Sequence, residues 1–114
     1  MPHSSVAAGV AHGCRELTRY TEFREAAALY ARVFAYTENE YALNANLLTA
    51  LARNGGSAVG AFADDGELIG FAYGFAGCDT TGASFHYSQA AAVDAAHQGR
   101  GVGQALKLAQ RAVA

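Results

Sequence analysis

The glycine-rich segment Gln98-Gly99-Arg100-Gly101-Val102-Gly103 constrains the fold of this chain more than any other part of its sequence. It separates an alanine-rich run that ends at Val93, which predicts a strand, from residues 104–114, whose apolar residues predict a helix. The first amides of a helix have no internal acceptor and carry partial positive charge. Glycine allows close approach of an anion and positive φ. The segment therefore predicts an anion site, and its several successive amides suit a diphosphate better than a single carboxylate.

Two well-known phosphate motifs are excluded by their spacing. The dinucleotide fingerprint G-x-G-x-x-G would need a third glycine where Gln104 stands, and the G-x-x-x-x-G-K-[ST] loop of nucleoside triphosphatases is absent. From the residues alone, two interpretations stay open. The segment is either a phosphate-binding loop, to which Arg100 adds a charge-assisted contact, or a plain flexible turn at the start of a helix.

A β-hairpin is predicted upstream of this segment. Residues 57–62 and 67–73 are strand-like runs, and Asp64-Asp65-Gly66 between them is a strong turn signal. The glycines inside these runs weaken a strand, so we expect them to mark bulges or close backbone approach. Residues 74–83 predict a loop, and residues 85–93 a further strand that leads into the glycine-rich segment.

Apolar residues at helical spacing predict three helices, and a short first strand is expected over 14–17. The first helix spans 21–35, with Thr21 as its N-cap and Glu22 in its first turn. The second ends at Asn54-Gly55-Gly56. Its predicted apolar stripe is Leu43, Leu47, Leu48 and Leu51, and that of the last helix is Leu106, Ala109, Ala112 and Val113. The order of elements predicts a mixed α/β domain.

Composition limits the classes of function. A chain of 114 residues fits one domain, which we place at 14–114 after a flexible tail over 1–13. The net charge of -2, without a basic run, argues against nucleic-acid binding. No apolar run is long enough for a membrane span, and no signal peptide precedes the domain, so a cytoplasmic protein with reduced thiols is expected. The histidines and the two cysteines are too scattered for a metal site.

The sequence from Val93 to Leu106, VDAAHQGRGVGQAL, resembles the acetyl-CoA signature of the GNAT N-acetyltransferase superfamily. In that family a strand is followed by Q/R-x-x-G-x-G/A at the start of a helix, and Gln98, Gly101 and Gly103 fill the three defining positions. The hairpin and the run Phe71-Ala72-Tyr73-Gly74 are similar to the N-terminal half of such proteins. Residues 105–111 are similar to a branch of predicted acetyltransferases. The resemblance covers residues 14–114.

The resemblance implies a largely antiparallel sheet flanked by helices, with acetyl-CoA as co-substrate and no metal. It implies that main-chain groups at the end of the strand bind the pantetheine arm: Ala91, Ala92 and Val93. It implies that the loop and the first helical turn bind the pyrophosphate: Gln98, Gly99, Arg100, Gly101, Val102, Gly103 and Gln104. Acetyl transfer in this family is usually direct attack by an amine on the thioester. The acceptor, a small molecule or a peptide, is not identified by the sequence.

The sequence also departs from the family. The strands and the helix that normally follow are missing from it, so the acid that protonates the leaving thiolate has no position here. The strand over 85–93 offers His86, Tyr87, Ser88 and Gln89 but no carboxylate, and no catalytic residue is assigned. Three hypotheses therefore stay open. They are an N-acetyltransferase, a non-catalytic or degenerate acetyl-CoA-binding module completed by a partner chain (for example a second copy paired through an open sheet edge), and a small domain that binds another phosphate ligand.

Overall fold

A computed structural model describes residues 13–34 and 43–113 of the chain. Its strands are β1 (Cys14–Glu16), β2 (Ser57–Phe62), β3 (Leu68–Cys78) and β4 (Ser84–Val93). Its helices are α1 (Tyr20–Phe34), α2 (Ala45–Arg53) and α3 (Val102–Val113), with a 3-10 turn at Ala95–His97. The tail predicted over 1–13 lies, except for Gly13, outside the described residues.

The four strands form one antiparallel sheet in the order β1-β2-β3-β4. The predicted hairpin is confirmed: Val59 pairs with Ala72, and Gly66 in the turn has a φ of 89°. The predicted loop over 74–83 is wrong for its first half, since β3 continues to Cys78 by pairing with β4. Long-range pairing overrides the low strand propensity of the glycines here. The predicted mixed α/β fold with a largely antiparallel sheet is confirmed.

Helices cover both faces of the sheet, so the core has two layers. Helices α1 and α2 pack on one face through Phe23, Leu29 and Leu48, which contact a cluster that includes Phe71. Helix α3 packs on the other face, where the cluster comprises Val59, Ala61, Ile69, Ala72, Val102 and Leu106. Full burial of a valine, leucine or isoleucine side chain such as those in this cluster stabilises a fold by about 1.5–3 kcal/mol. The second layer is the one that fixes α3, and with it the glycine-rich segment.

Glycine on the face below α3 permits a close approach of helix and sheet. A Cβ at Gly70 would lie 3.1 Å from Val102 Cγ1, 3.1 Å from Leu106 Cδ1 and 3.2 Å from the carbonyl oxygen of Ala92. The expectation that strand glycines mark close backbone approach is therefore confirmed at this position. A bulge also occurs at the register shift between Tyr73 and Gly74, but Gly74 lies outside the two runs predicted as strands.

The start of the first helix differs from the prediction, whereas the second helix ends with its C-cap at Asn54, as predicted. Helix α1 begins at Tyr20, so Thr21 is not its N-cap. The carboxylate of Glu22 instead accepts from the amides of Thr18 (2.9 Å) and Arg19 (3.2 Å). In α2, Asn44 is the N-cap and its side chain accepts from the Leu47 amide at 2.8 Å. Leu47 is 48% exposed, so its place in the predicted apolar stripe is wrong.

No helix among the described residues has both the length and the apolar character needed to cross a membrane.

Candidate functional site

The connection between β4 and α3 begins with a short capped turn. The carboxylate of Asp94 accepts from the amide of Ala96 at 3.0 Å and thereby caps the 3-10 turn. Arg32 of α1 donates to the other oxygen of Asp94 at 3.3 Å. The Ala96 amide first, and then Arg32, hold the pKa of Asp94 below its usual range. Asp94 thus ties the turn before the glycine-rich segment to α1, which packs on the face of the sheet opposite to α3.

The exposed side chain of Gln98 bonds back to the end of β4. Its Nε2 donates to the carbonyl oxygen of Val93 at 3.0 Å, which ties the start of the glycine-rich segment to the end of β4. The ring of His97, just before it, is half-buried, and its Nδ1 atom is buried with no hydrogen-bond partner in the described part of the chain. Gln98 therefore ties the loop to the end of β4, and Gly99, Arg100 and Gly101, which follow it, are exposed.

Open space surrounds the glycines of this segment. Gly99 and Gly101 both have a φ of 81°, a conformation that other residues rarely adopt. A Cβ at either of them, or at Gly103, would have no heavy atom within 4 Å. The space where side chains would stand is therefore free, and a bulky anion can reach the backbone.

The first turn of α3 supplies free amide donors. The helix begins at Val102, two residues earlier than predicted, so Val102, Gly103 and Gln104 form its first turn. In the described chain, the first amide of α3 with a backbone acceptor is that of Ala105, which donates to the Gly101 carbonyl oxygen at 3.0 Å. The preceding amides and the positive end of the helix dipole form a local anion site.

Arg100 adds a positive charge to this loop. Its side chain is exposed, and no carboxylate of the described residues lies within 4.0 Å of its guanidinium group. The guanidinium group therefore has no intramolecular ion pair there and is available to an anionic ligand.

The strand that enters the loop is a sheet edge. In the described chain β4 pairs only with β3, and Ala91, Ala92 and Val93 face Ala72, Phe71 and Gly70. The other side of β4 carries no strand there, so its outward main-chain groups lack a ladder partner. The predicted pantetheine-binding residues therefore lie at the end of this edge strand, and the predicted pyrophosphate-binding residues lie in the loop and the first helical turn that follow it.

A bulge interrupts β4 farther from the loop. Tyr73 pairs with Ala90 and Gly74 pairs with Ser88, so Gln89 is the extra residue of β4. Bulges of this kind are frequent beside active sites, where they redirect side chains. The bulge lies four residues from Val93 along the same open edge.

A polar network lies beside the bulge; its members Ser57 and Gln110 are buried, whereas Ser88 and Lys107 are exposed. Gln110 Nε2 donates to Ser57 Oγ at 3.2 Å, and Ser88 Oγ donates to Gln110 Oε1 at 3.0 Å. Ser57 Oγ and His86 Nε2 lie 2.8 Å apart and share a hydrogen bond. Lys107 Nζ donates to Ser88 Oγ at 2.7 Å. This network was not predicted from the sequence, although a glutamine four residues after Leu106, on the apolar face of α3, was its one visible signal.

Metal-binding side chains do not cluster in the described residues, which contain no group of three or more His, Cys, Asp and Glu residues placed to hold an ion. Among the described residues, Cys14 and Cys78 are not joined in a disulfide, and burial raises the pKa of Cys14.

Comparison with known proteins identifies the family. The sequence pattern of the Acetyltransferase (GNAT) family matches residues 20–113. The chain belongs to the GNAT acetyltransferase family. This confirms the family resemblance that the glycine-rich segment carries. No curated protein matches the chain in sequence.

Solved structures of other GNAT proteins share the fold. An aminoglycoside acetyltransferase from an uncultured soil metagenomic sample, solved with sisomicin, is 19% identical with a TM-score of 0.71; the match covers 87% of this chain and 66% of that one. A ribosomal-protein-alanine N-acetyltransferase from Brucella melitensis is 24% identical, with a TM-score of 0.60 and coverage of 87% and 70%. A GNAT family acetyltransferase from Staphylococcus aureus is 13% identical, with a TM-score of 0.64 and coverage of 87% and 74%. The chain thus spans roughly two thirds to three quarters of these proteins, and at such identities the likeness concerns the fold.

Proposed function

We propose that this GNAT protein is an N-acetyltransferase that transfers the acetyl group of acetyl-CoA to an amine. The observation that supports this most directly is the continuity between the open edge of β4 and the free amides at the start of α3. Acetyl-CoA needs both features. Its pantetheine arm contains two amide groups that can pair with a strand edge, and its pyrophosphate needs several donors close together.

Each predicted site residue has a role in this proposal. The outward main-chain groups of Ala91, Ala92 and Val93 bind the pantetheine arm. The amides of residues 99–104 bind the pyrophosphate, and Arg100 adds a charge-assisted contact. Gln98 acts indirectly, since its side chain holds the loop against Val93. Transfer by direct attack of the amine then depends on how well the site positions the thioester.

Thermal stabilisation by acetyl-CoA tests the binding half of the proposal. A ligand that binds only the folded protein raises its Tm, so acetyl-CoA is expected to raise the Tm whereas NAD and ATP leave it unchanged. Gly101→Asp should abolish the shift, because a carboxylate then occupies the anion site. Gly82→Asp is the matched control: Gly82 has a φ of 88°, equally open space, and a place in the β3–β4 loop. An unshifted wild-type Tm, or a Gly101→Asp variant that still responds, would refute the site.

Acetyl-CoA binding without transfer is the second candidate function. It is favoured by one observation: beside the bulge, β4 carries His86, Tyr87, Ser88 and Gln89 but no carboxylate that would serve as a general base. Release of thiol from acetyl-CoA in the presence of amines separates the two functions. A protein that is stabilised by acetyl-CoA but releases no thiol with any amine would be the binding module.

A further inference from the structure

The ammonium group of Lys107 lies beside the open edge of β4 at its bulge. Lys107 extends from α3 and donates to the hydroxyl of Ser88 at 2.7 Å, directly before the bulge residue Gln89. In residues 13–34 and 43–113, no carboxylate lies within 4.0 Å of its Nζ atom. A cation without a carboxylate partner at this position is available to a negative group on a ligand.

The hydroxyl that holds Lys107 is itself fixed from the protein interior. Ser88 donates to Gln110, and Gln110 donates in turn to Ser57. Gln110 is only 4% exposed and Ser57 only 1%. Because the Ser88 proton is directed at Gln110, its lone pairs remain to accept from Lys107. The ammonium group is therefore held near the bulge by a network anchored in the core.

Gly74 makes room for this network. A Cβ at Gly74 would lie 2.4 Å from the carbonyl oxygen of Tyr87, 2.8 Å from His86 Nε2 and 3.1 Å from Gln110 Nε2. The contact with the Tyr87 carbonyl oxygen is closer than real Cβ atoms show and involves backbone, so any other residue at this position would force β4 to shift. At this point β4 and α3 pack through hydrogen-bonded polar side chains and not through apolar ones.

The length of the coenzyme places its sulfur at the same point. From the pyrophosphate to the sulfur, the pantetheine arm has about twelve backbone bonds, the length of about four residues of extended chain. Four residues separate Val93 from Gln89, roughly 13 Å of strand. Because the Gln98 side chain bonds to Val93, the glycine-rich loop begins beside the end of β4. An arm that starts there and follows the edge of β4 is long enough to reach the bulge, beside Ser88 and Lys107.

We propose that Lys107 stabilises the negative charge that develops on the sulfur of coenzyme A during acetyl transfer, an inference that rests on the proposed function. The amine nitrogen bonds to the acetyl carbon, the carbon–sulfur bond breaks, and its electron pair leaves on the sulfur as a thiolate beside the Lys107 ammonium. The surplus proton of the amine passes to solvent water. Such a cation acts where charge develops and favours the leaving group. The sequence alone assigns no residue to this role.

Other charged or titratable groups lie on the elements around Lys107. They are Arg111 on the next turn of α3, Arg100 in the glycine-rich loop, and His86 and Tyr87 on β4. All of them stay unchanged when only Lys107 is substituted. A difference between wild type and a Lys107 variant therefore reports on Lys107.

Binding of coenzyme A and of desulfo-coenzyme A, which lacks the thiol, tests the proposal without an acceptor amine. A cation beside the sulfur lowers the pKa of the bound thiol. Calorimetry should therefore show that raising the pH from 7 to 9.5 strengthens binding of coenzyme A relative to the desulfo compound. A shift of one pKa unit would set a limit of about tenfold. Lys107→Met should abolish the increase, Lys107→Arg should retain it, and Arg111→Met, the matched control, should behave like wild type.

The outcomes separate this inference from the proposed function. If the wild type binds neither compound, the proposed function fails. If the wild type binds both but Lys107→Met shows the same pH-dependent preference, or if Arg111→Met loses it equally, the role of Lys107 is wrong. Because Lys107 is exposed, its variants are expected to fold, and an unchanged Tm of each variant without ligand verifies this.

Discussion

The side-chain amide of Gln98 donates to the main-chain carbonyl oxygen of Val93 across a distance of 3.0 Å. This bond closes the connection between β4 and the glycine-rich loop and joins the two halves of the proposed coenzyme site. The resemblance assigned Gln98 to the ligand, whereas its side chain in the structure holds the loop. A defining position of the family pattern thus has a structural explanation, since the bond fixes the loop amides relative to the strand edge.

Removal of this bond is expected to weaken coenzyme binding. Gln98→Ala leaves the Val93 carbonyl without its side-chain donor and frees the loop, so the affinity for acetyl-CoA should fall by about three- to tenfold, the equivalent of one hydrogen bond. Calorimetric titration with acetyl-CoA measures this change in affinity. Asn46→Ala, which removes an exposed side-chain amide on α2, is the control and should bind as wild type does. Unchanged affinity of Gln98→Ala would contradict a positioning role.

Glu22 makes the free energy of unfolding depend on pH in the acidic range. Its carboxylate accepts from Arg15 at 2.5 Å and from the amides of Thr18 and Arg19, and these bonds, with Arg15 the largest cause, lower its pKa from 4.5 to about 2. A depressed folded-state pKa contributes stability above the unfolded pKa and loses it as protons bind. The contribution should therefore be fully present at pH 7 and disappear between pH 4.5 and about 2.

Glu22→Gln measures this contribution directly. At pH 7 it should lower the free energy of unfolding by about 1–2 kcal/mol, since the pair with Arg15 is partly screened by solvent and the capping bonds supply the remainder. Denaturant titrations at pH 7 and pH 3 give the comparison, and the difference from wild type should shrink at the lower pH. Glu25→Gln, an exposed position on the same helix, should show neither effect. A loss that is equal at both pH values would argue against the depressed pKa.

Local sequence signals were enough to predict the β2–β3 hairpin and the backbone conformation of the glycine-rich segment. The Asp-Gly turn and the glycine-rich segment each specify a backbone conformation within a few residues, and the structure has positive φ at Gly66, Gly99 and Gly101. The end of β3 could not be predicted, because residues 74–78 become a strand only through pairing with β4, which lies farther along the chain.

The polar network beside the bulge was beyond single-sequence reasoning. Ser57, His86 and Gln110 lie far apart in the sequence and meet only after the sheet and α3 pack together. In isolation, each has an ordinary interpretation as a strand or helix residue. Periodicity also placed Leu47 in the apolar stripe of α2, where the structure leaves it 48% exposed. The buried side of α2 is centred on Ala45 and Leu48, and Leu47 lies about 100° around the helix from Leu48.

The same Gly→Ala change should have opposite effects at two sites. At Gly74 the added methyl group would meet the Tyr87 carbonyl oxygen at 2.4 Å, and overpacking of this kind destabilises by about 1–3 kcal/mol. At Gly103, inside α3 and with nothing within 4 Å, alanine should stabilise by about 0.5–1 kcal/mol through its helix propensity. Thermal unfolding without ligand measures both. A neutral Gly74→Ala would contradict the close packing of β4 against β3.

The open edge of β4 gives the last prediction, which concerns self-association. Its outward main-chain groups lie beside small alanine side chains, and an unprotected edge of this kind is a template for another strand. We expect the protein without ligand to dimerise through β4 and acetyl-CoA to favour the monomer, because both occupants use the same edge. Analytical ultracentrifugation with and without acetyl-CoA measures this. Gln89→Lys, a charge on the edge, should weaken the dimer, whereas Thr80→Lys in the β3–β4 loop should not. A monomer at all concentrations without ligand would exclude pairing, and a dimer unaffected by acetyl-CoA would place the interface elsewhere.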